Sequence, residues 1–156
     1  MKSKTTLCLA MILEVAAAAQ GVRSDDAVAA FRKLDASVEW NVTSAEIADV
    51  DCDGKPDTVM LGYKKDEVAI GIVFGAPAKR PQLFTFPVRA GSEFGFCLKP
   101  QRINVSPLIC QLKDGTVLSG CKATEGCKAF SIPNSGCDAF NFYWDSSIGT
   151  VSLWQR

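Results

Sequence analysis

Residues 58–74 of the 156-residue chain read TVMLGYKKDEVAIGIVF, and this stretch predicts a β-hairpin. Large apolar residues alternate with small or polar ones on both sides of a polar turn at residues 64–66. They are Val59, Leu61 and Tyr63 before the turn, and Val68, Ile70, Ile72 and Phe74 after it. A period of two places each set on one face of a sheet. We therefore expect antiparallel strands over residues 58–63 and 67–74.

Further short apolar runs on the C-terminal side predict more strands. They lie at residues 82–88, 102–105, 109–112 and 116–118, and Asp114-Gly115 is a strong turn signal between the last two. The C-terminus resembles another hairpin in its pattern. Phe140, Phe142 and Trp144 share one face, residues 145–149 turn, and Val151 and Leu153 return opposite them.

One amphipathic helix precedes the strands. Ser24 is the predicted N-cap, and Asp25 and Asp26 place negative charge in the first turn, where the helix dipole favours it. Val28, Phe31 and Leu34 then recur every third residue and give the helix an apolar face. Together these patterns predict an α+β fold, mainly antiparallel β, with one N-terminal helix and a β-sheet or sandwich.

The first nineteen residues have the pattern of a signal peptide. Lys2 and Lys4 precede an apolar stretch from Leu7 to Val15, and Ala16–Ala19 supply small residues for cleavage. A short buried N-terminal helix is the alternative. We expect residues 1–19 to be the signal peptide and residues 20–156 to form a single domain in the periplasm or outside the cell.

The cysteines of the mature part indicate disulfides. Six remain after cleavage: Cys52, Cys97, Cys110, Cys121, Cys127 and Cys137. An even number in a small exported protein predicts up to three disulfides, and the sequence leaves about fifteen connectivities open. Zinc is the alternative, but the chain has no histidine and lacks the close C-x2-C pairs of zinc modules.

Charge and composition exclude several functions. The whole chain carries 17 basic and 17 acidic residues, and the mature part, without Lys2, Lys4 and Glu14, is nearly neutral. Without a basic block we expect no binding to nucleic acid. No second apolar segment is long enough to cross a membrane. The absence of histidine excludes Ser-His-Asp and Cys-His catalysis, so we expect no enzyme, although a hydrolase with dispersed carboxylates is a third alternative.

The residues that carry chemistry lie at 49–57, which read DVDCDGKPD. Four carboxylates within nine residues would repel one another, and Ca²⁺ accepts six to eight oxygen ligands. Gly54 permits a sharp turn. The predicted ligands are the carboxylates of Asp49, Asp51, Asp53 and Asp57 and the carbonyl of Lys55. Cys52 lies between two of them and is expected to point outward, where it can join the loop to the body.

The pattern D-x-D-x-D-G-x-x-D resembles the calcium loops of FG-GAP and VCBS repeats. Position twelve is Met60 instead of the glutamate that an EF-hand needs. The match covers about fifteen residues in a single copy, so the resemblance implies a calcium site and no propeller. An acidic surface turn without metal is the alternative.

The chain is also similar to small bacterial periplasmic proteins with one such loop, some of which are immunity proteins. This resemblance implies a binding protein that blocks a cell-wall-degrading toxin or hydrolase. Lys64, Lys65, Lys79 and Arg80 are the predicted contacts, and self-association is left open. The alternative is a cell-surface adhesion or carbohydrate-binding module that uses the aromatic residues 140–144 and Trp154.

Overall fold

The computed structural model describes residues 22–91 and 94–154, so the predicted signal peptide lies outside the described residues. One helix and eight strands follow one another along this part of the chain. They are α1 (Ser24–Leu34), β1 (Glu39–Ala48), β2 (Asp57–Lys64), β3 (Glu67–Val73), β4 (Gln82–Pro87), β5 (Asn104–Pro107), β6 (Lys128–Ile132), β7 (Phe140–Asp145) and β8 (Thr150–Trp154).

The first sheet is an antiparallel meander in the order β1-β2-β3-β4. Its centre is the predicted hairpin, in which Val59 pairs with Ile72 and Leu61 pairs with Ile70. These four side chains are fully buried, because one face of β2 and β3 forms the main core. The prediction of this hairpin is confirmed.

Helix α1 covers the opposite face of the first sheet. Phe31 is buried with Ala27 and Met60, and its ring lies directly over Gly71. A Cβ atom at Gly71 would come within 2.6 Å of the Phe31 ring, so the small residue in β3 permits this close packing. Both faces of β2 and β3 are therefore covered.

The helix begins one residue earlier than the sequence suggested. Arg23, not Ser24, is the N-cap: its backbone is extended, and its carbonyl accepts the Ala27 N–H at 2.9 Å. Ser24 is the first helical residue, and the cap makes no side-chain hydrogen bond. The prediction of Ser24 as N-cap was wrong because the chain becomes helical immediately after Arg23.

The second sheet, β5-β6-β7-β8, is also an antiparallel meander and packs against the first. Phe130 and Phe142 stack at 4.7 Å between ring centroids, and Phe96 and Phe140 stack at 4.3 Å. Trp144 pairs with Val151 and Phe142 pairs with Leu153, as predicted for the C-terminal hairpin. The molecule is thus a helix on a two-sheet sandwich, and the predicted fold class is confirmed.

The segment between β5 and β6 differs from the prediction. Residues 109–112 and 116–118 are not strands, and Gln111 and Val117 form only an isolated bridge. Ile109 and Val117 are exposed, so these two apolar side chains do not pack into a core. We call residues 108–121 the covering loop, because Leu108 and Leu118 are buried against the outer face of the second sheet.

The six cysteines form three disulfides among the described residues. Cys52 bonds to Cys127, Cys97 to Cys137, and Cys110 to Cys121. The prediction of three disulfides is confirmed, and such bonds are typical of oxidising compartments. The one helix in the described part of the chain spans 11 residues and is not long and apolar enough to cross a bilayer.

Candidate metal site

Residues 49–57, here called the acidic loop, connect β1 to β2. Cys52 adopts a φ of 63°, the only positive φ of a non-glycine residue in the described ranges, and its disulfide to Cys127 ties the loop to the start of β6. The Lys128 N–H also donates to the Asp49 carbonyl at 2.8 Å. The loop is therefore attached to both sheets, and Cys52 joins it to the rest of the domain.

Asp57 is the buried centre of the loop. Its side chain is fully buried, and one oxygen, Oδ2, accepts the N–H groups of Val50 at 2.8 Å and Asp51 at 3.2 Å. Its Oδ1 accepts the Gly75 N–H at 2.8 Å. Asp57 thus joins the beginning of the acidic loop to the residues that follow β3.

The other carboxylates organise the loop through its backbone. Asp49 accepts the N–H groups of Asp53 at 3.1 Å and Gly54 at 3.0 Å, one on each oxygen. Asp51 Oδ1 also faces the Asp53 N–H at 3.2 Å. The backbone of residues 53–54 is thereby folded around the carboxylates of Asp49 and Asp51.

Asp49, Asp51 and Asp57 each place one carboxylate oxygen within 4.8 Å of the other two. Two oxygens bound to one Ca²⁺ at about 2.3–2.6 Å lie at most about 5.2 Å apart, so these separations are compatible with one shared cation. Hard oxygen donors are the ligands that Ca²⁺ prefers. The donor set therefore fits calcium, and backbone carbonyls and water would complete the coordination.

Lys79 is a further component of this site. Its ammonium lies 2.5 Å from Asp51 Oδ2 and 3.2 Å from Asp53 Oδ2. The rings of Phe74 and Trp144 flank the same ammonium, with centroids at 5.8 and 5.5 Å. A positive charge in this position partly neutralises the loop, so Lys79 supplies some of the electrostatic stabilisation that a metal ion would supply.

The pKa values of Asp51 and Asp57 reflect their burial, and that of Asp51 also reflects the Lys79 ammonium. Burial raises the pKa of Asp57 to about 6, and the N–H groups of Gly75 and Val50 limit the rise. Burial also raises the pKa of Asp51, against the opposing effect of the Lys79 hydrogen bond. At Lys79, burial lowers the pKa, but the hydrogen bonds to Asp51 and Asp53 outweigh it and raise the pKa overall.

Three of the four predicted carboxylate ligands thus come together, and the carboxylate of Asp53 does not join them. Asp53 faces Lys79, and its Oδ1 accepts the Lys55 N–H at 3.0 Å. Lys55 is exposed. The contact with Lys79 was missed, although the hairpin register contained a signal for it. Because Thr58 pairs with Val73, residues after β3 must pass beside those before β2.

The four predicted partner contacts differ in their surroundings. Lys65 is 94% exposed in its side chain, on the β2–β3 turn, and Arg80 is also exposed. The Lys64 ammonium lies 2.6 Å from Asp35, and their hydrogen bond lowers the pKa of Asp35 to about 2. The Lys79 ammonium contacts Asp51 and Asp53 of the acidic loop, as described above. Lys65 and Arg80 therefore protrude, whereas Lys64 and Lys79 are held in the closer ion pairs with Asp35 and Asp51.

The predicted aromatic platform is divided between two faces of β7 and β8. Phe140 and Phe142 are buried in the main core, and Trp144 packs edge-on against Phe74 at 5.6 Å. Tyr143 and Trp154 belong to the smaller cluster beneath the covering loop. Phe140 and Phe142 are thus core residues and offer no exposed surface.

Comparisons with protein-family models, with curated proteins and with solved structures find no match for this chain.

Proposed function

We propose that the protein is an exported, calcium-binding protein without catalytic activity that inhibits a cell-wall-degrading toxin or hydrolase. The observation that carries the calcium part is the triad Asp49, Asp51 and Asp57, with three carboxylate oxygens at mutual distances that suit one Ca²⁺ ion. The inhibitor part rests on the resemblance of the loop and on the disulfide-linked sandwich that displays it.

Calcium has a structural role in this proposal. Two of the triad side chains, Asp51 and Asp57, are buried. Burial of like charges is costly unless cations compensate for it, and Lys79 contributes only one positive charge. A dication between the carboxylates would fix the acidic loop, and with it the junction between the two sheets near Cys127.

A fixed loop favours tight binding of a protein partner. A surface that is already ordered loses less conformational entropy on association than a flexible one. Lys65 and Arg80 are the protruding predicted contacts, and a cationic side chain is suited to the acidic groups of a glycan-cleaving active site, which works with paired carboxylates. The partner in this proposal is therefore a hydrolase with an acidic active-site groove.

Calorimetric titration of the metal-free protein with CaCl₂ tests the calcium site. We expect the wild-type protein to bind one ion. Asp49→Asn should lower the calcium affinity at least about tenfold, because each lost carboxylate contact weakens a hard-cation site. Asp114→Asn is the control, because it makes the same change at a turn aspartate outside the acidic loop. Lys79→Gln should strengthen calcium binding, because it removes a competing positive charge. Equal heats for all variants would contradict the site.

Capture experiments test the inhibitor role. The mature, oxidised protein is used to retain proteins from the secreted and periplasmic fractions of its own organism, with calcium and with EGTA. We expect a stoichiometric wall hydrolase whose activity falls on binding. The double change Lys65→Glu and Arg80→Glu should abolish capture, whereas Lys122→Glu, at another exposed lysine, should not. Recovery of glycan without a protein partner would refute the inhibitor proposal.

A further inference from the structure

The outer face of the second sheet carries a cavity that the proposed inhibitor role does not use. It has a volume of about 280 Å³ and lies between strands β6–β8 and the covering loop. Small-molecule sites have volumes of about 300–1,000 Å³, so this cavity lies just below the lower end of that range and suits a small ligand.

The covering loop forms a fixed wall of the cavity. The Cys110–Cys121 disulfide closes it, and the Leu118 N–H donates to the Cys110 carbonyl at 2.9 Å. Leu108 and Leu118 are buried against Tyr143 and anchor the loop to the sheet. A wall of this kind is ordered before any ligand arrives, which lowers the entropy cost of binding.

The floor of the cavity is a row of side chains across three strands. Ser131 pairs with Asn141, and Asn141 pairs with Trp154. Directly paired residues of antiparallel strands project to the same face, so a hydroxyl, a carboxamide and an indole lie side by side. The Asn141 Nδ2 donates to the carbonyls of Ala139 at 3.1 Å and Trp154 at 3.4 Å, which fixes the orientation of the amide.

The charge of the lining restricts the ligand. Lys113 is the one charged residue among the fifteen that line the cavity, and the polar residues are neutral amides and hydroxyls such as Gln111 and Ser106. A fatty acyl chain would remove these polar groups from water without offering them hydrogen bonds, which is costly. A sugar ring offers hydroxyl groups at its edge and a C–H face for an aromatic ring.

We propose that this cavity binds a neutral saccharide. The indole of Trp154 packs on the apolar face of the sugar ring, and Asn141 and Gln111 form hydrogen bonds with its hydroxyl groups. The cavity shares no residue with the acidic loop, so saccharide binding is independent of the calcium site and of the proposed inhibitor role.

Nuclear magnetic resonance titration with two neutral probes, chito-tetraose and malto-tetraose, tests this proposal. We expect saturable shifts of the Trp154 indole signal and of the Asn141 and Gln111 side-chain amides with at least one probe, in calcium and in EGTA alike. The indole of Trp40 is an internal control, because Trp40 stacks on Phe31 beneath helix α1. Decanoate is added in a separate titration as an apolar probe. The proposal would be overturned if neither saccharide gave a saturable shift at millimolar concentration, or if decanoate alone gave one.

Two variants distinguish binding from general effects on the fold. Trp154→Ala should lower the affinity at least about fivefold, as expected for loss of one aromatic contact. Gln111 is an exposed residue of the covering loop, so Gln111→Ala should weaken saccharide binding without unfolding the protein. This variant tests the site even if Trp154→Ala does not fold. Ile47→Ala is the control at an exposed apolar residue in the first sheet. The site would be refuted if Gln111→Ala bound the saccharide with unchanged affinity and a folded Trp154→Ala variant did so as well.

Discussion

The acidic loop and the covering loop contain the same local motif in different surroundings. Asp53 Oδ1 accepts the Lys55 N–H at 3.0 Å, and Asp114 Oδ1 accepts the Thr116 N–H at 3.0 Å. The glycine that follows each aspartate has a positive φ, 82° at Gly54 and 90° at Gly115. The Asp-Gly dipeptide therefore produces one turn geometry in both places.

The residues around the two turns give them different chemistry. The acidic loop buries Asp51 and Asp57, and its interior consists of carboxylates, backbone N–H groups and Lys79. The covering loop buries Leu108 and Leu118, and its interior is apolar. A short motif thus predicts the conformation of a turn, whereas the function of the turn depends on the side chains that it brings together.

Removal of the disulfides should give the largest effects and should separate the two loops. Cys52 and Cys127 are 75 residues apart, and Cys110 and Cys121 are 11 apart. The entropy of loop closure predicts losses of about 4 and about 3 kcal/mol in the free energy of unfolding. Urea denaturation of the two Cys→Ala pairs measures these values. A larger loss for the shorter connection would show that native packing, not chain entropy, decides the order.

The Asp57→Ala change should destabilise the protein by about 3 kcal/mol, because three backbone N–H groups lose their buried charged acceptor. Asp114→Ala is the matched change in the covering loop and should cost less than about 1 kcal/mol, because its hydrogen bond is exposed. Thermal unfolding with EGTA present compares the two without a contribution from metal. Equal losses would contradict the difference in burial between the loops.

Glycine substitutions sharpen the comparison within the covering loop. Gly120 has a φ of 63°, and a Cβ atom there would overlap the Asp145 carboxylate, whereas nothing lies within 4 Å of one at Gly115. We expect Gly120→Ala to cost about 2–3 kcal/mol, from backbone strain and displacement of Asp145, and Gly115→Ala to cost about 1 kcal/mol from strain alone. Denaturant midpoints with unchanged slopes provide the measurement. A larger loss at Gly115 would contradict this account of the loop.

The smallest expected effect is a dependence of stability on pH at the base of the covering loop. The hydrogen bond from the Ser147 hydroxyl, together with backbone N–H groups, lowers the pKa of Asp145 below its ordinary value of 3.8 despite burial. A lowered pKa means that the ionised form stabilises the fold. This contribution is complete above the ordinary pKa and is lost as the pH falls through the lower folded value.

Asp145→Asn removes the charge and keeps an oxygen acceptor. The difference in unfolding free energy between the wild type and this variant should be largest near neutral pH and should disappear as the pH falls through the lowered folded pKa of Asp145. Asp138→Asn, at an exposed carboxylate, is the control for a general change of charge. A difference that grows as the pH falls would have the wrong sign and would refute the role of Asp145.

The sequence predicted the β2–β3 hairpin best, because both the alternation and the turn at Lys65-Asp66 are local signals, whereas β1 of the same sheet was not predicted. Strand β6 was missed, since Lys128–Ile132 is a run of only five residues. The disulfide pairing could not be predicted, because it joins cysteines that are 75, 40 and 11 residues apart. At the acidic loop, local spacing identified Asp49, Asp51 and Asp57, but the contact of Lys79 with Asp51 depends on the register of the β2–β3 hairpin.

The disulfide connectivity has a consequence for the biogenesis of the protein. A chain that crosses a membrane from its N-terminus presents Cys52 and Cys97 to the oxidising side before Cys127 and Cys137 emerge. Joining cysteines in order of emergence would link the first two, and only Cys110–Cys121 joins consecutive cysteines in the folded protein. We therefore expect efficient maturation to require a thiol–disulfide isomerase, and recombinant yield to depend on one being present in the compartment where the disulfides form.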